Sequence, residues 1–248
     1  MTLEKVENTR EALFAEAELY DRAAKASEGG ATVVRGFVGG IDLESGSGTT
    51  AALKWAYPLL KGVRQGLWHE PPGFFREPAV VEAVRNLSTL DLTFDALVKA
   101  PQLRDLYALA SAAPNTRINL NHLGYPPLGN STGMAAWAAD LGSLATLGNV
   151  YCKLSGLPQA FGKQGWNASA FAPAVHIAVA AFSPMRLNFA GNWFVLEEAE
   201  WAPAGADAYR AMLDAVDAAL DAAGVYGDDR DRVYSGTAEA LYRLDSRS

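Results

Sequence analysis

Apolar positions along this chain change between two periods, and the change predicts a repeating order of helices and strands. Stretches with apolar residues at every third or fourth position alternate with short β-branched runs that end in glycine, proline or polar residues. The predicted helices cover about residues 9–28, 49–60, 79–87, 101–112, 134–147, 170–182, 204–223 and 235–244. The predicted strands cover about residues 32–43, 62–67, 92–98, 117–121, 149–154 and 186–193.

Six strands separated by helices are typical of parallel βαβ units with right-handed crossovers. Such a chain folds either as an open doubly wound sheet or as a (β/α)8 barrel. Gly36-Phe-Val-Gly-Gly40 lacks the glycine spacing of a dinucleotide-binding loop, which argues against a nucleotide-binding open sheet. Polar residues instead follow the apolar part of several strands, as they do on the active-site face of a barrel. They are Asp42, Arg64, His122, Lys153 and Asn192.

Composition restricts the classes of partner. No linker-like segment divides the 248 residues, so we expect one domain over residues 1–248. A net charge of −7 without a basic patch predicts neither nucleic acid nor a membrane as a partner. The single cysteine, Cys152, excludes an intrachain disulfide and is typical of a reducing compartment. With no apolar signal-peptide core near the N-terminus, the sequence predicts a cytoplasmic protein that acts on a small molecule.

Of the three histidines, His122 is the best placed for chemistry. It follows the stretch Arg117-Ile-Asn-Leu-Asn121, in which apolar and polar residues alternate at the period of a strand. Gly124, Pro126 and Pro127 then break the backbone. A lone histidine at a strand end is either a satisfied structural residue or a catalytic one, and at this point both interpretations stay open.

Seven segments share their order and spacing with a known family. They are Val38-Gly-Gly-Ile-Asp-Leu43, Leu60-Lys-Gly-Val-Arg64, Phe94-Asp-Ala-Leu-Val98, His122-Leu-Gly124 with Pro126-Pro127, Asn149-Val-Tyr-Cys-Lys-Leu-Ser-Gly156, Phe189-Ala-Gly-Asn-Trp193 and Gly236-Thr-Ala-Glu-Ala-Leu-Tyr-Arg-Leu244. Together they resemble the amidohydrolase-related family of TIM-barrel hydrolases, in the branch that includes sugar lactonases and pyrone-dicarboxylate lactonases. The resemblance extends over nearly the whole chain from about residue 30.

The resemblance implies an incomplete (β/α)8 TIM barrel, in which about six of the eight strands, the third to the eighth, are present. Family members carry a His-x-His pair on the first strand, and no His-x-His occurs here, so we expect that strand to lie upstream of Met1. A barrel without two strands leaves unpaired edges, which favour a homo-oligomer. The family often holds zinc or another divalent metal. Because zinc takes three or four protein ligands, and His122 is only a weak candidate here, we predict no tightly bound metal cofactor.

The resemblance also assigns catalytic positions. His122 corresponds to the residue after the sixth barrel strand, which is a metal ligand or a donor that polarises a carbonyl group. Asn192 stands where the family places an aspartate before tryptophan, and that aspartate binds metal or activates water. A neutral amide is a poor proton acceptor and a poor metal ligand. We therefore expect His122 and Asn192 to mark the catalytic position, with Asn192 doing no acid–base work.

Four further residues are candidates for substrate binding. Arg64 either binds a substrate carboxylate or lactone oxygen, or forms an ion pair in the barrel mouth. Lys153 either orients substrate charge or forms a salt bridge at its strand end. Trp68 lies on a loop that either walls a pocket or covers the barrel rim, and Trp193 follows Asn192 directly.

Other conspicuous residues have structural interpretations. Strand alternation turns Cys152 away from Lys153, so Cys152 is expected to pack rather than react. His176 lies within a predicted helix and is expected to be structural. Trp55 and Trp137 also lie on predicted helices, where we expect them to pack between helix and sheet.

These observations lead to two hypotheses for the function of the protein. One is a hydrolase that opens a lactone or a similar cyclic carbonyl substrate by water attack, with His122, Arg64 and Lys153 stabilising the oxyanion. The other is an inactive or truncated relative that binds a ligand or pairs its open edge with a partner. Loss of lactone hydrolysis in His122→Ala is expected only of the first.

Overall fold

The alternating pattern folds as a parallel sheet covered by helices. A computed structural model describes residues 9–31, 33–161, 168–192 and 206–244, so Trp193 lies outside the described residues. The helices are α1 (Arg10–Ala26), α2 (Ser47–Ala56), α3 (Pro78–Leu87), α4 (Leu103–Ala112), α5 (Ser131–Ala145), α6 (Leu157–Phe161), α7 (Ala168–Phe182), α8 (Ala206–Ala222), α9 (Gly227–Asp231) and α10 (Thr237–Tyr242). The strands are β1 (Phe37–Gly40), β2 (Leu60–Gly66), β3 (Thr93–Leu97), β4 (Ile118–Leu120), β5 (Val150–Leu154) and β6 (Leu187–Phe189).

The six strands lie in the sheet in the order in which they occur along the chain, and every neighbouring pair is parallel. Right-handed crossovers in one direction place every connecting helix on the same side, so such a sheet curls with its helices outside. This confirms the predicted α/β fold, a six-stranded part of a (β/α)8 barrel. Among the described residues, β1 and β6 are the two end strands.

The outer face of the sheet forms the apolar core. Val63, Phe94, Ile118 and Val150 are register partners on β2, β3, β4 and β5, and each is fully buried. Neighbouring parallel residues in register point to the same face. The helices cover this layer with apolar faces of their own. For example, Leu103, Leu106, Leu109 and Ala110 recur at helical spacing on α4 and are all buried.

The concave inner face is polar. Arg64, Asp95 and Asn119 are register partners on β2, β3 and β4. Asp95 is only 1% exposed and accepts hydrogen bonds from the ammonium of Lys153 on β5 and from the Tyr242 hydroxyl, which lies 2.8 Å from Asp95 Oδ1. Asn119 Nδ2 donates to the same Tyr242 oxygen at 2.8 Å. The last helix, α10, is thus hydrogen-bonded to β3 and β4 on the inner face.

A side chain of α1 covers part of the β1 edge. The amides of Phe37 and Ile41 donate to carbonyls of the β2 segment, as a parallel ladder requires. The amide of Gly40 faces the open side and donates to Glu16 Oε2 at 2.6 Å. An unpaired edge donor is therefore satisfied by a carboxylate rather than by another strand.

Several expectations from the sequence need correction. Trp55 is 88% exposed, so its predicted packing between helix and sheet is wrong. The buried side of α2 carries Thr50 and Leu53, and a position two residues after Leu53 lies on the opposite side of a helix. Trp137 is 1% exposed, which confirms its predicted packing.

Strand lengths and two helices also differ from the prediction. The end strands span only 37–40 and 187–189, since ladder pairing rather than composition sets their limits. The five-residue helices α6 and α9 were not predicted, because so short a stretch shows no periodicity. No helix in the described part of the chain is long and apolar enough to span a membrane.

The Tyr242 hydroxyl is expected to stabilise the fold. Tyr242→Phe removes one of the donors to buried Asp95, and leaving a buried polar group undersatisfied costs about 1–3 kcal/mol. Tyr226→Phe is the matched control, because that hydroxyl donates to the Asp221 carbonyl at an exposed site. Urea denaturation should show a lower free energy of unfolding for Tyr242→Phe and a change within about 0.5 kcal/mol for the control. Equal stability of the two variants would contradict this role.

Candidate active site

His122 lies in a left-handed turn directly after β4. The φ angles of His122, Leu123, Gly124 and Tyr125 are 53°, 55°, 68° and 52°. Three of these four residues are not glycine, and each left-handed L-residue costs roughly 1–2 kcal/mol. Backbone strain of this kind persists only where the surrounding structure enforces it, and it is common at functional sites.

Contacts with α4 and α5 hold the turn in place. The Trp137 indole on α5 donates to the Leu123 carbonyl at 2.8 Å, and the Tyr125 amide donates to the His122 carbonyl at 2.8 Å. A Cβ on Gly124 would lie 2.7 Å from Leu103 Cδ2 on α4, and the φ of 68° also favours glycine at this position. The predicted helix packing of Trp137 therefore also shapes the site.

The loop after β5 closes on the imidazole ring. Ser155 Oγ lies 2.7 Å from His122 Nδ1. Gly156 has a φ of 65°, and a Cβ there would lie 2.6 Å from the same nitrogen. Burial, and to a lesser degree the charge of Lys153, lower the pKa of His122 to about 3. The ring is consequently neutral at any ordinary working pH.

Lys153 and Arg64 are each paired with a carboxylate. Lys153 forms a salt bridge with Asp95, and its side chain is 16% exposed. Arg64 Nη2 lies 2.5 Å from Glu16 Oε1. For each residue, the sequence left open either a contact with the substrate or a salt bridge within the protein, and the structure shows the salt bridge. Each pair places a positive charge on the inner face with its counter-ion already beside it.

Aromatic rings extend from His122 to the loop after β2. The His122 and Tyr125 ring centroids are 5.1 Å apart, and Tyr125 lies 6.3 Å from Trp68. Lys99 Nζ lies 6.0 Å from the Trp68 ring centroid. The structure therefore connects Trp68 with His122 through Tyr125. Phe75, on the same loop, is buried in the core and takes no part in this aromatic wall.

Two asparagines lie near the strand ends. Asn121 is 6% exposed, and its Oδ1 has no hydrogen-bond partner among the described residues. Asn192 is half-buried after β6 and has a φ of 51°. Trp193, the predicted substrate-binding neighbour of Asn192, lies outside the described residues.

The remaining predictions about reactive residues are consistent with the structure. Cys152 is fully buried, and burial raises the pKa of its thiol, so it stays protonated and packs in the core. His176 is exposed on α7.

Three partners of the predicted residues were not identified as such from the sequence: Glu16, Ser155 and Tyr242. Ser155 follows Lys153 by two positions, so strand alternation would have placed both on one face. Glu16 and Tyr242 lie on helices distant in sequence and carry no local signal. Tyr242 stays protonated, because burial, and then Asp95, raise its pKa well above the ordinary value.

The donor set does not fit a zinc ion. No three His, Cys, Asp or Glu side chains come together within residues 9–31, 33–161, 168–192 and 206–244. The His122 Nδ1 atom is taken by Ser155, and the Asp95 carboxylate by Lys153 and Tyr242. A tetrahedral site needs three or four free nitrogen, sulfur or carboxylate donors.

Polar side chains at the carboxyl ends of parallel strands, on a sheet that curls in chain order, define the active-site face of a (β/α)-barrel protein. Comparison with known proteins gives the family. The family model described as "Amidohydrolase" matches residues 4–244. The chain therefore belongs to the amidohydrolase family.

Curated and solved relatives are consistent with this assignment. An L-fucono-1,5-lactonase of Burkholderia multivorans is 30% identical over 218 aligned residues, in an alignment that covers 84% of this chain and 71% of the relative. A crystal structure of a B. multivorans amidohydrolase with bound zinc has a TM-score of 0.80 at 27% identity, over 96% of this chain and 80% of that one. Amidohydrolase 2 from Bifidobacterium longum subsp. infantis, at 20% identity and a TM-score of 0.63 over 93% of this chain and 77% of that one, shares the fold.

Gly156 is expected to be essential for the position of His122. In Gly156→Ala, the new Cβ would lie 2.6 Å from His122 Nδ1, and the alanine backbone would have to keep a positive φ, so we expect a loss of about 1–3 kcal/mol of stability. Gly48→Ala is the control, since its site on α2 is open and alanine favours a helix. Thermal unfolding should show a lower Tm for Gly156→Ala and an unchanged or higher Tm for Gly48→Ala. An unchanged Tm for Gly156→Ala would contradict the close approach.

Proposed function

We propose that this protein hydrolyses a lactone, with a sugar-acid lactone as the substrate class. The observation that carries the proposal is a neutral His122 held by Ser155 close to the positive charge of Lys153. This combination supplies a proton acceptor and a fixed cation at one carbonyl group. Relatives at 30% identity that are named L-fucono-1,5-lactonase support the same substrate class.

In the proposed reaction, His122 transfers the proton. With its Nδ1 hydrogen-bonded to Ser155, its Nε2 accepts a proton from the attacking water and returns it to the ring oxygen that leaves. A pKa of about 3 makes His122 a weak base in the free protein. During the attack, negative charge develops on the carbonyl oxygen and raises the proton affinity of His122. The resulting imidazolium is a strong acid toward the leaving alkoxide.

Lys153 stabilises the oxyanion. Its ammonium is held by Asp95, so it is oriented before the substrate arrives and needs no reorganisation during the reaction. Arg64, held by Glu16, adds a second fixed cation on the same face. The carboxylate partners keep the site close to electrical neutrality, which suits an uncharged lactone.

The walls of the site match a sugar ring. Tyr125 and Trp68 offer aromatic surface, on which the C–H face of a pyranose can pack. The unpaired Asn121 Oδ1 supplies a buried acceptor for a substrate hydroxyl. Asn192 keeps its predicted role as a neutral group at the family's aspartate position and takes no proton. One relative was crystallised with zinc, but the donors within the described part of this chain do not fit that ion.

Replacing His122 tests the proposal. L-Fucono-1,5-lactone hydrolysis, followed with a pH indicator and corrected for the spontaneous rate, should lose about 10²–10⁴-fold in kcat/KM in His122→Ala. His176→Ala, an exposed histidine on α7, should retain the wild-type rate. Absence of hydrolysis above background in the wild-type protein would contradict the function, and an unchanged rate in His122→Ala would contradict the mechanism.

The pH dependence follows from the lowered pKa. Activity requires neutral His122, and it is lost as the pH falls through the folded-state value of about 3. At pH 5 an ordinary histidine with a pKa of about 6.5 would be roughly 3% neutral. The initial rate at pH 5 should therefore remain close to that at pH 7. A drop of more than tenfold, with the fold intact by circular dichroism, would show that His122 titrates normally.

A further inference from the structure

Two side-chain amides in the described part of the chain have buried polar atoms without a hydrogen-bond partner. They are Gln159 on α6, in which both Oε1 and Nε2 are unpaired, and Asn121, in which Oδ1 is unpaired. Buried polar groups in folded proteins are nearly always paired, so each exception needs an explanation. An unpaired buried amide destabilises the free protein, which indicates that the protein gains something else from it.

Other amides of the inner face and the loops are paired within the protein. Asn119 and Asn188 bond each other in both directions, with Asn188 Nδ2 3.0 Å from Asn119 Oδ1. Gln102 Nε2 donates to the Leu67 carbonyl at 2.7 Å, and Gln102 Oε1 accepts from the Lys99 amide at 3.1 Å. The unpaired amides are therefore a local feature and not a general property of this fold.

The two unpaired amides belong to the two segments that enclose His122. Asn121 directly precedes His122 in the turn after β4. Gln159 lies three positions after Gly156, in the turn where the Ala160 amide donates to the Gly156 carbonyl at 3.1 Å. Residues three apart in a helical turn are neighbours, with Cβ atoms about 5–6 Å apart. Because Gly156 lies against the imidazole, both amides are close to the proposed reaction centre.

The chemistry of these amides favours hydroxyl groups. A side-chain amide has an acceptor oxygen and a donor nitrogen, and a hydroxyl can donate to the first or accept from the second. A carboxylate only accepts, so the amide oxygens of Asn121 and Gln159 would repel it. Burial has already removed water from these groups, so pairing them with a ligand requires little further desolvation of the protein. Gln159 as a whole is half-buried, and rotation about its side-chain bonds can turn its amide toward a ligand.

From these observations we infer that Gln159 and Asn121 form a subsite that binds hydroxyl groups of the substrate ring. Gln159 Nε2 donates to one ring hydroxyl, and the amide oxygens of both residues accept from ring hydroxyls. The subsite selects a neutral, hydroxylated six-membered ring over an anion or a ring without hydroxyls. The inference rests on the proposed lactone hydrolysis for the position of that ring at His122, and it adds Gln159 as a residue that determines specificity.

Calorimetry with 1,5-anhydro-L-fucitol tests the subsite without any hydrolysis, because this cyclic ether has ring hydroxyls and no carbonyl group. It should bind the full chain with a Kd on the order of 1–10 mM, as expected for a ligand of its size. Tetrahydropyran, the same ring without hydroxyls, should bind at least about tenfold more weakly. Gln159→Leu should weaken binding of the hydroxylated ring about tenfold, because hydrogen bonds are lost. No binding of the hydroxylated ring, or equal affinity of the wild-type protein and Gln159→Leu, would overturn the inference.

Failure of the subsite and failure of the proposed function give different results. Binding of the hydroxylated ring that is weakened in Gln159→Leu, in a protein that opens no lactone, would support the subsite and contradict the hydrolysis. Hydrolysis of L-fucono-1,5-lactone with the same KM in the wild-type protein and in Gln159→Leu would contradict the subsite alone.

Thermal unfolding separates a ligand-binding role of Gln159 from a structural one. Gln159→Leu replaces an unpaired buried amide by an apolar group of similar size, so its Tm should equal or exceed that of the wild-type protein. Gln102→Leu is the matched control, because it breaks two hydrogen bonds within the protein and should lower the Tm. A Tm of Gln159→Leu that is lowered as much as that of Gln102→Leu would refute the inference, since the Gln159 amide would then be paired within the fold.

Discussion

The buried carboxylate of Asp95 is the interaction on which the inner face depends. It holds Lys153 and the Tyr242 hydroxyl, and Tyr242 in turn accepts from Asn119. A carboxylate that is 1% exposed is costly unless its charge is paired and its oxygens are hydrogen-bonded. Two strands and the last helix are therefore fixed relative to one another by this one group.

The salt bridge between Asp95 and Lys153 also determines the charges at the site. Asp95 fixes the Lys153 ammonium on the inner face, and Lys153 adds to the burial that keeps His122 neutral. The left-handed turn after β4 completes the arrangement by bringing the imidazole against Ser155 and Gly156. The catalytic proposal follows from this sequence of contacts, since it needs an uncharged base beside a fixed cation.

Much of the fold could be predicted from the sequence, because each βα unit carries its own period. The helix limits differ by a few residues, and the strand order follows from right-handed crossovers. Among the site residues, local patterns placed His122 and Lys153 at strand ends. They gave no sign of Glu16 or Tyr242, because contacts between residues distant in sequence are set by tertiary packing. The prediction for Trp55 was wrong for another reason. A large apolar residue on a helix was expected to be buried, but its position on α2 leaves it exposed.

The protonation state of His122 is the central claim, and NMR titration of its ring protons tests it most directly. The signal assigned by comparison with His122→Ala should remain that of a neutral imidazole from pH 8 to pH 5, consistent with a pKa of about 3. A His122 midpoint near 6.5 would contradict the account, because the imidazole would then be neither desolvated nor influenced by Lys153.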